Sequence, residues 1–226
     1  MPRNLSDRLF VAALICLSAS AAGPIDFPLA VNTKWTYHLR QELAEGVHFG
    51  EEDAKLAKGN VMETTIISTV AGEDTIDGQK YARIESVHKD GRHYITEWYA
   101  LGPTGLLLGK TLDENGAETL MTPPQKILVA PLQPGAAWMW RDRNNPISMN
   151  IKVVGQAAVQ TPAGNLPALE LSYDATIDMQ GTMVHVRQKR WYVPGIGYGI
   201  QDTETRIGPR PISHVTLTLE KFEAAK

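Results

Sequence analysis

Residues able to do chemistry are thinly spread along this chain. His88 and His93 flank the turn Asp90-Gly91, with Glu85 and Glu97 near them in sequence, and two imidazoles with a carboxylate are enough to begin a metal site. His38, His48, His185 and His214 are scattered, so no denser ligand set forms, and solvated polar residues beside a turn are the plainer reading. Glu51-Glu52-Asp53 offers the paired carboxylates of glycoside hydrolysis, yet three consecutive acids in a polar stretch read as solvated charge. Gly-x-Ser-x-Gly and His-Glu-x-x-His are both absent, and a Ser-His-Asp set drawn from distant strands is open to almost any chain of this length. Gly102, Gly105, Gly195 and Gly197 lack the helix and the Lys-Ser/Thr ending of a phosphate loop, and are expected at bends or bulges. No catalytic residue, metal or cofactor is therefore assigned.

The aromatic residues are better organised. Trp35 and Tyr37 are two apart, as are Trp138 and Trp140, so on a strand each pair projects from one face. Such faces could line an apolar cavity, which makes these four residues the ligand-binding candidates; the same spacing suits core packing, the reading taken first. Trp98-Tyr99 and Trp191-Tyr192 are adjacent, so one ring of each pair is expected inside and the other on the outer face.

These aromatics belong to a duplication. Pro28-Leu29 through Trp35 and Tyr37 returns as Pro131-Leu132 through Trp138 and Trp140, with Asn32 and Gly135 at matching turn positions, and Glu97-Trp98-Tyr99-Ala100-Leu101-Gly102 is answered by Arg190-Trp191-Tyr192-Val193-Pro194-Gly195. Between them, Gly78 and Gly164 are each followed by an alanine (Ala82, Ala168) and a serine (Ser86, Ser172) at the same offsets. Asp77-Gly78, Asp90-Gly91 and Asn115-Gly116 are hairpin-turn dipeptides between β-prone runs, predicting that residues 61–70 pair with 80–87, these with 93–101, and 106–112 with 117–121. In the second half, strands are expected over 148–159, 166–173, 183–193 and 214–222, the last with Val215, Leu217 and Leu219 on one face. Pro123-Pro124 is taken as the junction between halves, since two prolines interrupt a ladder. Equivalent points lie closer together at the closing Trp than at the opening Pro, so the first half carries an insertion, most simply 46–59; its acids lead and its lysines trail before Gly59, an order that suits one short helix as well as a loop.

Arg3 and Arg8, an apolar run from Leu9 to Leu17 and the small residues 18–22 form a secretory signal, leaving a mature chain that begins near Gly23. The run is too short for a spanning helix, which takes about 20 residues. The one cysteine, Cys16, falls inside this signal, so disulfides, thiolate metal sites and cysteine catalysis are not expected after cleavage. With 21% charged and 43% hydrophobic residues the chain is a folding one, and a net charge of -3 without a basic cluster gives no case for nucleic acid.

The expected architecture is all-β with at most one or two short helices: a curved antiparallel meander sheet, half-barrel or two-sheet sandwich built from a duplicated β unit. One β-rich domain is expected over 23–226, with pseudo-repeats at about 27–121 and 131–222.

The opening Pro-Leu-x-x-Gly-x-x-Trp-x-Tyr pattern and the closing Trp-Tyr-x-x-Gly-x-Gly pattern, here Trp191-Tyr192-Val193-Pro194-Gly195-Ile196-Gly197, together with Thr161-Pro162-Ala163-Gly164-Asn165-Leu166-Pro167-Ala168-Leu169, resemble uncharacterised families of secreted bacterial proteins. Asn32 stands where the pattern has Gly, and Asn also tolerates the left-handed conformation. At the level of architecture the meander is similar to the half-barrels of periplasmic lipoprotein carriers. Export, the all-β meander and the aromatic clusters lead to the expectation of a periplasmic or extracellular, non-enzymatic protein that binds a hydrophobic ligand, lipid or acylated partner on a concave sheet face. The alternatives are a cell-envelope assembly protein that binds another protein by a sheet edge or outer face, and a secreted hydrolase without a motif.

Overall fold

Turn chemistry organises the chain as its dipeptides require. Asp77 and Gly78 both take positive φ, 49° and 79°, the pair of left-handed residues that a two-residue hairpin needs, and Gly91 and Gly116 turn the next hairpins at 90° and 79°. The computed structural model describes residues 24–179 and 181–226; the expected signal segment, with Cys16, lies outside them. The strands are β1 (Lys34–Leu43), β2 (Ala57–Lys58), β3 (Val61–Ile76), β4 (Gln79–His88), β5 (His93–Gly102), β6 (Gly105–Leu112), β7 (Glu118–Val129), β8 (Ala137–Arg141), β9 (Ile147–Thr161), β10 (Gly164–Met179), β11 (Thr182–Val193), β12 (Gly197–Ile207) and β13 (Arg210–Glu223), with one helical turn, α1 (Glu51–Ala54). All the strands join one antiparallel sheet in the order β7-β6-β5-β4-β3-β1-β13-β12-β11-β10-β9-β8, with β2 beside β3. The fold is all-β, and the sheet curls until it nearly closes into a barrel.

The duplication is visible in hydrogen bonds. Asn32, at φ 75°, donates its N–H to Val70 O (2.9 Å), and Val70 N–H returns to Thr33 O (2.9 Å). Gly135, at φ 85°, donates to Val153 O (2.9 Å), and Val153 N–H returns to Ala136 O (2.8 Å). One series therefore runs through β1 and β3–β7, the other through β8–β13. The adjacent aromatics split as their spacing demands: Tyr99 and Tyr192 join the main core, Trp98 packs with Tyr81 and Ala100, and Trp191 lies against Val159, Ala168 and Val193.

Register places one alternate set of side chains inside. Trp35, Tyr37 and Leu39 of β1 face inward with Ser68 and Ile66 of β3 and Leu217 and Leu219 of β13. Leu39, Ile66, Leu171 and Leu219 are completely enclosed, each contributing about 1.5–3 kcal/mol by leaving water. One end of the barrel is plugged by the segment before β1: Phe27 packs on Trp35, Tyr99 and Tyr198, while Asp26 N–H donates to Tyr192 Oη (2.9 Å) and Tyr192 Oη–H donates to Asp26 O (2.8 Å). At the other end, the insertion carries α1, where Asp53 meets Arg92 of the β4–β5 turn at 3.1 Å.

Two features differ from expectation. Pro123-Pro124 does not end the first series, since β7 continues through both residues to Val129. The chain tolerates them because β7 is an end strand and its pairing with β6 skips there, from Leu108↔Gln125 to Lys110↔Leu120. The second half also holds a strand outside the expected set, β12, which begins at Gly197 and pairs with β11 and β13.

Candidate functional site

The predicted aromatic positions lie in the barrel wall. Trp35, Tyr37 and Trp140 are buried in the main core and Trp138 is half-buried against it. Their polar atoms are occupied: Tyr37 Oη–H donates to Tyr198 O (3.1 Å), Trp138 Nε1–H to Lys126 O (2.8 Å), Trp140 Nε1–H to Pro123 O (2.9 Å), and Trp35 Nε1–H to Ile196 O (2.5 Å). The two Trp pairs thus stand at different depths in an otherwise equivalent frame.

The histidines do not converge. His93 pairs with Val87 across the turn, which puts it on the face opposite His88, and its Nε2 lies 2.9 Å from Thr96 Oγ1. His88 points inward, 2% exposed, edge-on to Tyr94, with Nδ1 lacking a hydrogen-bond partner; burial, with the Arg92 charge nearby, holds its pKa below the ordinary 6.5. Among the described residues no group of three or more His, Cys, Asp or Glu side chains could hold a metal ion. His214 Nε2 does meet Asp202 Oδ2 at 2.8 Å, but on the exposed outer face, where Thr216 Oγ1 donates to the same carboxylate (3.4 Å). Neighbouring Ser213 pairs with Leu43 on the inward face, so it supplies no nucleophile to that contact. Glu51 and Glu52 are exposed on the insertion, and Asp53 is engaged by Arg92.

A constellation not singled out from the sequence occupies the interior. Glu97 and Arg190 are the first residues of the two matched closing phrases, each two before an inward Tyr, and both face inside. Arg190 pairs with Gln201, and Gln188 with Thr203, so β11 and β12 present Gln188, Arg190, Gln201 and Thr203 to the lumen beside Val215 and Leu217 of β13. Arg190 Nε–H donates to Gln188 Oε1 (2.7 Å), and Gln188 Nε2–H to Thr203 Oγ1 (2.9 Å). The guanidinium carbon lies 4.9 Å from the Tyr173 ring centre and 5.0 Å from that of Tyr198, a cation held between two aromatic faces. Across the lumen, Tyr99 Oη–H donates to Glu97 Oε1 (2.9 Å). No ion pair joins Glu97 to Arg190 among the described residues, although each acts on the other's charge.

The electrostatics follow from depth. Burial pushes the Glu97 carboxyl above the ordinary carboxylate range, and neither the Arg190 charge nor the Tyr99 hydroxyl fully offsets it. For Arg190, burial works downward, but the oxygens of Tyr198, Tyr173, Tyr99 and Glu97 outweigh it and hold the guanidinium firmly charged. Burial likewise raises the Tyr99 and Tyr173 phenols, so they act as neutral hydroxyls. Unlike the packed interior of β1, β3 and β4, the inward residues Gln188, Arg190, Gln201, Thr203, Val215 and Leu217 all keep partial exposure. Water therefore reaches this side of the lumen. The arrangement can bind polar or charged groups; it contains no nucleophile and base in contact.

The signal that marks this site in the sequence is the repeat itself. At an equivalent inward position, one copy carries Glu97 and the other Arg190, a charge reversal inside a matched aromatic phrase.

Two solved structures resemble the fold across most of the chain. One is a protein from Parabacteroides distasonis provisionally described as a lipoprotein, at 14% identity and a TM-score of 0.48, covering 89% of this chain and 100% of that one. The other is a protein from Bacteroides fragilis provisionally described as exported, with a YmcC-like fold, at 13% identity and a TM-score of 0.44, with the same coverage of 89% and 100%. The sequence matches no protein-family model and no curated protein. No helix among the described residues is long and apolar enough to cross a membrane.

Proposed function

We propose that this is an exported, non-enzymatic binding protein that takes an amphipathic ligand, lipid or acyl chain of a modified partner in the interior of its barrel. The observation that carries the reading is the accessible inward face of β11–β13, where Val215 and Leu217 offer apolar surface and Gln188, Gln201 and Thr203 offer polar groups. An eight-stranded barrel is just filled by side chains, and interior width grows with strand number. The path from β7 round to β8 holds twelve strands, more than that filled case. In this reading Trp35, Tyr37 and Trp140 form the packed wall behind the ligand, and half-buried Trp138 borders it. The signal-like first 22 residues support export.

Native mass spectrometry of the gently purified protein, with titration of a fluorescent fatty acid, tests the reading. The expected result is co-purified amphiphile or saturable uptake at one site per chain. A protein that carries no amphiphile and takes up none overturns it.

A second reading has its own observation. Between β7 and β8 the sheet ends without a backbone ladder, which leaves edge groups that could receive a strand from another envelope protein. A stoichiometric partner that is lost on charge reversal along β8, while fatty-acid uptake is unchanged, would favour it.

A further inference from the structure

Resting on the interior-binding reading above, we propose that Arg190 and Tyr198 form an anion site at the deep end of the lumen, built for the carboxylate of an amphipathic ligand. An unmet hydroxyl stands beside a cation there. The Arg190 guanidinium gives Nε–H to Gln188 (2.7 Å), and its terminal nitrogens lie on the side of the Tyr173 and Tyr198 rings. Tyr198 is 5% exposed, its ring lies 5.0 Å from the guanidinium carbon, and its hydroxyl has no partner. A buried hydroxyl without a partner carries a desolvation cost that one ligand oxygen removes.

The choice of a carboxylate follows from the surroundings. A guanidinium fixed between the Tyr173 and Tyr198 rings presents a flat edge, and that edge matches a planar anion with two oxygens. No second cation lies on the inward faces of β11, β12 or β13, and Glu97 stands across the lumen, so a single negative charge is favoured over the denser charge of a phosphate.

Depth sets the ligand's orientation. Phe27 closes the lumen beneath Tyr198 at a ring distance of 5.7 Å, so the anion end sits at the bottom and the tail runs toward the open end past Leu217 and Val215. From Arg190 to the start of β11 at Thr182 the strand rises about 26 Å, at ~3.3 Å per residue, a wall long enough to lie along an extended acyl chain.

The test compares dodecanoate with dodecanol, of equal chain length, by isothermal titration calorimetry on the purified protein and on Tyr198→Phe and Arg190→Gln. Dodecanoate is expected to bind at least about tenfold more tightly than dodecanol, the scale of one charge-assisted hydrogen-bonding group. Tyr198→Phe removes only a hydroxyl without a protein partner, so its unfolding midpoint should not fall while its preference for dodecanoate drops several-fold. Arg190→Gln should abolish the preference; if that variant does not fold, Tyr198→Phe decides alone. Equal affinity for the two probes, or an unchanged preference in Tyr198→Phe, overturns the anion site while leaving interior binding intact. Binding of neither probe overturns both.

Discussion

The duplicated unit meets itself twice, and the two meetings are built differently. At the first, β1 opens one series and β13 closes the other, and the strands pair along their length from Lys34↔Glu223 to Leu43↔Ser213. At the equivalent second meeting, β8 and β7 lie together with no ladder. One backbone bond, Arg143 N–H to Thr122 O (2.6 Å), and several side chains bridge them: Trp138 and Trp140 donate their indole N–H groups to Lys126 O and Pro123 O, Asp142 Oδ2 accepts from Thr122 N–H (3.0 Å), and from β10 Tyr173 Oη–H donates to Ile127 O (3.1 Å). Pro123 and Pro124 supply no N–H, and β8 is only five residues long, so a ladder there lacks both donors and length. The same aromatic phrase thus packs a continuous wall at one junction and staples an incomplete one at the other.

The sharpest way to break this comparison is to remove the equivalent tryptophans. Trp35→Ala, at the laddered junction, empties a fully enclosed site and should cost about 3–5 kcal/mol. Trp138→Ala, at the stapled junction, removes a half-buried ring and one indole bond, and should cost about 1–2 kcal/mol. Chemical denaturation of both variants measures the difference. Equal losses would mean that the two junctions bear the same load.

Much of this frame was readable from the chain. Asp77-Gly78, Asp90-Gly91 and Asn115-Gly116 marked hairpins because few residues accept their backbone angles, and the adjacency of Trp98 and Tyr99 dictated opposite faces because a strand alternates. β12 is hard to see in the sequence because Gly197 and Gly199 weaken its strand signal; in the fold Gly199 sits in a tight place, as a Cβ there would lie 3.0 Å from Val159 Cγ2. Pro123-Pro124 was misplaced as a boundary because proline is excluded from paired strands, and whether a strand stands at the end of a sheet depends on partners distant in sequence. The inward placement of Glu97 and Arg190 is not legible in the sequence, since alternation alone does not distinguish an inward charge from an outward one when both faces carry aromatics.

The next largest effect concerns Asp142, 4% exposed at the end of β8. Its Oδ1 accepts from Asn144 N–H (2.7 Å) and Asn145 N–H (2.8 Å), while Oδ2 holds Thr122 of β7. Burial works to raise its pKa, and the backbone donors of Thr122, Asn145 and Asn144 outweigh it, leaving the carboxyl below the ordinary 3.8. Asp142→Ala strands these donors and should cost about 2–3 kcal/mol. Because the folded pKa is depressed, the carboxylate's contribution is complete above the unfolded value and fades as pH falls through the folded one. Wild-type stability should therefore converge on that of Asp142→Asn below pH 3.8, while the laddered junction shows no matching change. Parallel stability curves for the two proteins across that range would remove the latch from the account of the seam.

The smallest effect asks whether missing donors are what leave the seam unpaired. In Pro123→Thr/Pro124→Val the strand regains two successive N–H groups, and successive backbone groups point to opposite sides of a strand, so one of them faces β8. Each restored bond contributes about 0.5–1.5 kcal/mol before the lost rigidity of proline is subtracted, so the net change in stability should stay within about 1 kcal/mol. Hydrogen exchange reads the effect more directly: amides of residues 123–124 and of β8 should gain protection, approaching that of β1 and β13. If β8 exchanges as fast as before, the short length of that strand, rather than the prolines opposite it, keeps the second junction open, and lengthening β8 becomes the change that would close the barrel.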